Sequence, residues 1–348
     1  MALNLFHIPP GLPFLETLAS GWLRDRGDDP LAIANGLILT PTRRAARALA
    51  EAFLRVSPAR GLLLPRIVAL GALDEAPLAL AGALELPPSV DPHRRLSVLS
   101  YLILRLNGAG GAPRTADRAW TLARELATLM DEADRAEIDL AARLPDAADP
   151  AYAAHWARTL EFLRIVTHAW PAWLEENGVM NPAARQVALL NAQVEAWEAR
   201  APDHPVVIAG TTAGIPAVAR LARVVARLPL GCVVLPVLDT EMTEEAWAVM
   251  EDSHPQAGLA NLLAGLDATR DDVRVWGGEL PRHREPIPGR RDPTLRHPPA
   301  RPGDLLQHRA ALGPPDKPGD DVEGAPHRAD RFALLSRALL PAPALSAW

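Results

Sequence analysis

Two hydrophobic rhythms divide the chain. Residues 36–40, 62–68, 206–209 and 232–238 are short, nearly continuous apolar runs, and residues 3–8 alternate apolar with polar. Runs of this length, rich in Val, Ile and Leu and bounded by Gly and Pro, predict strands. Where polar alternation is missing, they predict burial on both faces. Between the runs, apolar residues recur at three- and four-residue spacing, the period of a helix with one buried face. The pattern is most complete over residues 205–239. A run at 206–209 leads into Gly210-Thr211-Thr212-Ala213-Gly214. Pro216 then opens a helical stretch carrying Val218, Leu221, Ala222, Val225 and Leu228, and the run from Cys232 follows. Proline suits the first turn of a helix, where its missing N–H has no partner to lose. Strand, helix and strand in this order predict a right-handed crossover, hence a parallel sheet with both faces covered.

The same reading organises the rest. The strand at 3–8 is followed by Pro9-Pro10-Gly11-Leu12-Pro13, then by Phe14, Leu15, Leu18, Trp22 and Leu23 at helical spacing. The strand at 36–40 is followed by Pro41 and Thr42, a suitable N-cap, and by an alanine-rich helix to about residue 55 that opens with Arg43, Arg44 and Arg47. From 91 to 200 the pattern is nearly all helix, in segments 91–107, 115–133, 150–175 and 182–199 separated by Gly- and Pro-rich breaks. This predicts an α/β domain built from residues 1–90 and 201–280, with an inserted helical domain at 91–200. Short helices are expected after Asp239 and over 258–266. Residues 281–328 are dense in Pro, Arg, Gly and Asp without apolar periodicity and read as disordered. Residues 329–348 read as a short terminal helix.

Composition removes several kinds of chemistry. The chain has 348 residues, 49% of them hydrophobic, enough for a substantial core. Its net charge of −6 argues against general polyanion binding by the whole surface. Lys317 is the only lysine, against 35 arginines, so no lysine earlier in the chain can clamp a phosphate or form a Schiff base. Cys232 is the only cysteine, which excludes an intrachain disulfide, an all-cysteine zinc site and a four-cysteine iron–sulfur cluster. Its apolar strand predicts a buried, inert thiol. There is no apolar run of about eighteen residues and no secretory leader pattern, so a cytoplasmic protein without a membrane span is expected.

Candidate chemistry gathers at turns between strand and helix. The Pro9–Pro13 turn stands where a phosphate-binding loop would be expected, but such a loop needs two spaced glycines, a lysine and free backbone N–H groups. This turn has Gly11 alone and prolines that remove N–H donors. Thr42, Arg43 and Arg44, at the junction after residue 40, suit a phosphate of a nucleic-acid backbone; a solvated helix face is the plainer alternative. The acidic cluster Asp131, Glu132, Asp134, Glu137 and Asp139 fits no metal motif and reads as a solvated face. His155 and His168, among Trp156, Trp170 and Trp173, read as core or interface histidines.

Several stretches together resemble the N-terminal part of the AddB family, the second subunits of AddAB helicase–nucleases of double-strand break repair, in their alphaproteobacterial form. They are residues 8–15 (IPPGLPFL), 39–47 (LTPTRRAAR), 64–67 (LPRI), 209–217 (AGTTAGIPA), 234–239 (VLPVLD) and 254–256 (HPQ). The resemblance covers about residues 3–280. It implies a degenerate RecA-like, P-loop-helicase-like parallel sheet with an inserted helical domain, and a heterodimer with the AddA motor subunit on single-stranded DNA or DNA ends. By the same resemblance, Thr40, Thr42, Arg43, Arg44 and Arg66 become candidate DNA contacts. Pro10, Gly11, Ala209, Gly210, Thr211 and Thr212 become degenerate nucleotide-site positions, Ala209 standing where a helicase holds a Mg2+-binding carboxylate. The family's Mg2+-dependent nuclease and 4Fe-4S cluster lie in a C-terminal region beyond the residues that match, and ATP belongs to the partner motor. This chain is therefore expected to carry no catalytic residue, metal or cofactor of its own, and to be a scaffold and DNA-binding portion of a recombination-repair complex. The alternatives are a nucleotide-binding enzyme using the 210–214 turn, and a purely structural interaction module.

Overall fold

A computed structural model of the chain describes residues 3–27, 29–57, 61–73, 86–105, 115–143 and 162–277. The expected disorder at 281–328, the terminal helix at 329–348, and His155 with Trp156 lie outside the described residues. Six strands form one sheet: β1 (Leu5–His7), β2 (Leu37–Thr40), β3 (Arg66–Ala69), β4 (Val206–Ala209), β5 (Gly231–Leu235) and β6 (Arg274–Val275). Their order across the sheet is β3-β2-β4-β5-β1-β6, and every pairing is parallel. The expected crossover at 205–239 is present, with β4 and β5 paired and the intervening helix packed on both.

Alternate strand residues feed two cores. On one face Leu5, Leu39, Ile208 and Val233 pack with α8 (Pro182–Ala199), α9 (Pro216–Arg227) and α11 (Ala257–Gly265), the last preceded in the chain by the short α10 (Glu244–Ala248). On the other, Phe6, Ile38, Val207 and Val234 pack with α1 (Phe14–Arg26), α2 (Pro30–Ala34) and α3 (Arg43–Val56). All residues of β2, β4 and β5 are buried, which is why their sequences lack alternation. Cys232 lies in this second core, fully buried, and burial pushes its thiol well above the ordinary range.

Between β3 and β4 come α4 (Pro92–Arg105), α5 (Ala116–Ala136), α6 (Leu140–Arg143), α7 (Trp170–Asn177) and α8. The first four of these share a third core around Leu99, Ile103, Ala123, Met130, Val166 and Trp170. α8 belongs to both units, since it packs against α5 and against α9.

The structure departs from the sequence reading at several ends. The run at 62–68 becomes a strand only from Arg66, because pairing with the short β2 sets its length. The run at 232–238 stops at Leu235. Pro236 cannot donate to the sheet, and Val237 takes a positive φ of 21°. α2 and β6 were not expected. α2 is short and held by Asp29, whose carboxylate accepts from the Leu31 amide at 2.9 Å. β6 is two residues long and exposed, so no hydrophobic run marks it.

Candidate nucleic-acid interface

The loops that follow parallel strands open at the carboxyl edge of the sheet, where α/β folds hold ligands. After β1 the chain makes a tight turn. The Leu12 amide donates to the Pro9 carbonyl at 3.3 Å, Gly11 has a φ of 93°, and Pro13 precedes α1 without a capping side chain. Phe14, the first residue of α1, stands against the turn after β4. A Cβ at Gly210 would lie 3.3 Å from its ring and 4.0 Å from Pro41. The loops after β1, β2 and β4 thus meet at Gly210, and an aromatic ring and a proline line the meeting point. Thr211 is buried, and its hydroxyl accepts from the Ala213 amide at 3.0 Å, closing its own turn. Thr212 is exposed, with its side chain close to Gly258 on α11. Ala209 is a core residue. Pro10 and Gly11 are surface positions of the first turn.

The DNA candidates separate. Thr40 is buried, and its hydroxyl lies 3.2 Å from the Thr42 carbonyl and 3.4 Å from the Val68 carbonyl. It ties β2 to β3 and faces no ligand surface. Arg66 pairs with Leu37 at the amino end of β3, whereas Thr40 pairs with Ala69 at the carboxyl end. Three residues of strand, roughly 10 Å, separate the two ends, so Arg66 does not join the junction. Thr42, Arg43, Arg44 and Arg47 remain together and exposed. Thr42 caps α3 by accepting from the Ala45 amide at 3.1 Å.

The charge of this turn is the notable feature. The first turn of α3 contains no acidic residue. Among the described residues no ion pair involves Arg43, Arg44 or Arg47; the pairs of α3 belong to Arg55, with Glu16 and Glu51. A helix N-terminus carries partial positive charge, so each cation there costs about 0.3–1 kcal/mol. Three arginines, open amides and a threonine hydroxyl free to donate make a place that a phosphate would relieve.

Residues 254–256, part of the motif set, act inside the protein. The Gln256 side chain accepts from the Asp239 amide at 3.1 Å and donates to the Val237 carbonyl at 2.9 Å. The Asp239 carboxylate accepts from the amides of Glu241 and Met242 at 2.8 and 2.9 Å. These bonds shape the loop after β5 and hold Val237 in its unfavourable conformation. A glutamine nineteen residues away in sequence gave no local signal of this role.

The acidic cluster is not a wholly solvated face. Asp131 pairs with buried Arg95 at 2.7 Å, Asp134 accepts from Asn181 at 3.0 Å, and Glu137 pairs with Arg220 at 2.6 Å. Burial raises the Asp134 carboxyl above the usual range, while the hydrogen bond from Arg220 holds Glu137 below it. Among the described residues, no group of three or more His, Cys, Asp or Glu side chains is placed to hold a metal ion. His168 is exposed and bonds Thr167, so it is not a core histidine. The mate of Trp170 in the core is Asn181, which accepts from its indole at 2.9 Å.

No protein-family model matches the chain, and no curated protein matches it. The resemblance to the AddB family therefore rests on its motifs. Among the described residues, no helix is long and apolar enough to cross a membrane.

Proposed function

We propose that the chain is the helicase-like, non-catalytic part of an AddB-type subunit, a scaffold that contacts single-stranded or end-bearing DNA beside a motor partner. The parallel sheet with helices between β3 and β4 is consistent with a RecA-like domain carrying an inserted helical domain. The observation that carries the DNA reading is the first turn of α3, with exposed Arg43, Arg44 and Arg47, a Thr42 cap and no acid. Phe14 and Pro41 against Gly210 weigh against the nucleotide-binding alternative, because a phosphate loop needs open backbone amides at that place.

Fluorescence anisotropy with labelled single-stranded DNA tests the reading. Binding is expected to weaken with salt, and the double variant Arg43→Ala/Arg44→Ala to bind roughly tenfold more weakly. Its salt slope should fall by about 0.7 for each phosphate contact removed. Equal affinity and slope in the variant would remove α3 from the DNA surface.

A further inference from the structure

The chain passes from β2 to α3 through Pro41 and Thr42 alone, and both are held. Thr40, the last residue of β2, is 2% exposed. Its hydroxyl lies 3.2 Å from the Thr42 carbonyl and 3.4 Å from the Val68 carbonyl of β3. A hydroxyl has one hydrogen to give, so the two carbonyls share one donor. The Thr42 carbonyl also accepts from the Ala46 amide at 3.0 Å, the first rung of α3, and the Thr42 hydroxyl accepts from the Ala45 amide at 3.1 Å. Pro41, whose ring fixes its φ, stands 4.0 Å from the Cβ that a side chain at Gly210 would carry.

These bonds run from β3 through a buried residue of β2 to the cap of α3. Thr42 has extended dihedrals, φ −137° and ψ 158°, as an N-cap requires. Its ψ turns the carbonyl and the start of α3 together, so a bond that holds the carbonyl also holds the direction in which the helix leaves the sheet. Arg43 and Arg44 are the next two residues, and the places of their guanidinium groups follow from that direction.

We propose that Thr40 is a positioning residue for the phosphate contact of Arg43 and Arg44: its buried hydroxyl holds the Thr42 carbonyl and so aims the first turn of α3, without touching nucleic acid itself. The inference rests on the DNA reading of that turn. Its physical basis is that a binding group is only as precise as the shell that supports it. An arginine displaced from its phosphate loses its directed hydrogen bonds and keeps only a screened charge.

Thr40→Val keeps the branched shape and removes the hydroxyl, whereas Thr40→Ser keeps the hydroxyl. In anisotropy titrations with labelled single-stranded DNA, Thr40→Val is expected to bind roughly fivefold more weakly than the native chain, with a salt slope reduced toward that of Arg43→Ala/Arg44→Ala. Thr40→Ser should restore both. Gly21→Ala, destabilised away from the junction, should bind as the native chain does. Native affinity and slope in Thr40→Val, a loss that Thr40→Ser fails to restore, or an equal loss in Gly21→Ala would overturn the proposal. Hydrogen exchange at the Ala45 and Ala46 amides separates this from a failure of the DNA reading. Their protection should fall about tenfold in Thr40→Val and not in Thr40→Ser, with or without DNA. A native chain that binds no DNA would remove the DNA reading and the contact with it, while unchanged protection in Thr40→Val would overturn the support of the cap itself.

Discussion

One guanidinium nitrogen of Arg220 on α9 lies 2.6 and 2.7 Å from the two carboxylate oxygens of Glu137, the residue that ends α5. Asn191 on α8 bonds both partners, accepting from Arg220 and donating to Glu137. Three helices are joined at this point: α5, α9 against the sheet, and α8, which packs on both.

Arg220→Ala is expected to lower stability by about 0.5–1 kcal/mol, the range for ion pairs that remain partly exposed. Glu137→Ala should cost slightly more, because Glu137 sits at a φ of 56° and its side chain is the compensation for that conformation. Glu137→Gly keeps the turn and loses only the pair. Urea unfolding of the three variants and of the double variant checks this. If the two single costs add without coupling, the contact contributes nothing to joining the helices.

Charge reversal on α3 separates stability from binding. Arg43→Glu/Arg44→Glu should raise stability slightly, by about 0.3–1 kcal/mol for each site, and the thermal midpoint with it, since acids suit a helix N-terminus. It should abolish single-stranded DNA binding in the same preparation. A variant that is both less stable and unable to bind would point to misfolding; one that binds normally would clear α3 of any DNA role.

His7 predicts an acid-side loss of stability. It is buried at the end of β1, its Nδ1 has no hydrogen-bond partner, and burial lowers its pKa from the ordinary 6.5. The folded state therefore holds it neutral while the unfolded chain takes up a proton below about pH 6.5. Stability should be flat in this contribution above that pH and decline below it, until the folded pKa is reached. The urea midpoint of the native chain should fall more between pH 7 and 5 than that of His7→Leu. Parallel profiles would show that His7 contributes none of the decline.

Gly21 opposes local propensity to packing. It lies inside α1, where alanine would favour the helix by about 1 kcal/mol. A Cβ there would stand 2.4 Å from the Trp276 indole nitrogen. Trp276 itself packs edge-on against Phe6 at 5.4 Å, donates its amide to the His7 carbonyl at 2.8 Å and follows β6 directly. Gly21→Ala should therefore destabilise by about 1–3 kcal/mol. Trp276→Ala should cost about 3–5 kcal/mol. A stabilising Gly21→Ala would mean that Trp276 does not hold this position in solution.

Elements whose side chains all share one environment were legible from the residues alone. β2, β4 and β5 are buried on both faces, so their apolar runs were legible, and the boundaries of α3, α8 and α9 followed from Thr42, Pro182 and Pro216 at their starts. The presence of a parallel sheet followed from the crossover at 205–239. Only folding set the strand order, which depends on pairings as distant as Phe6 with Arg274, and with it the separation of Arg66 from Arg43. It placed β6, whose two exposed residues join the sheet only through backbone bonds and the anchor of Trp276. It also turned part of the acidic face into joints with Arg95, Asn181 and Arg220, since partners tens of residues away leave no mark in local spacing. The junction at Thr42–Arg47 was readable because cap and charges are adjacent in the chain. The burial of Thr40 and the ring of Phe14 against Gly210 were not, because each is made by segments that meet only when the chain is folded.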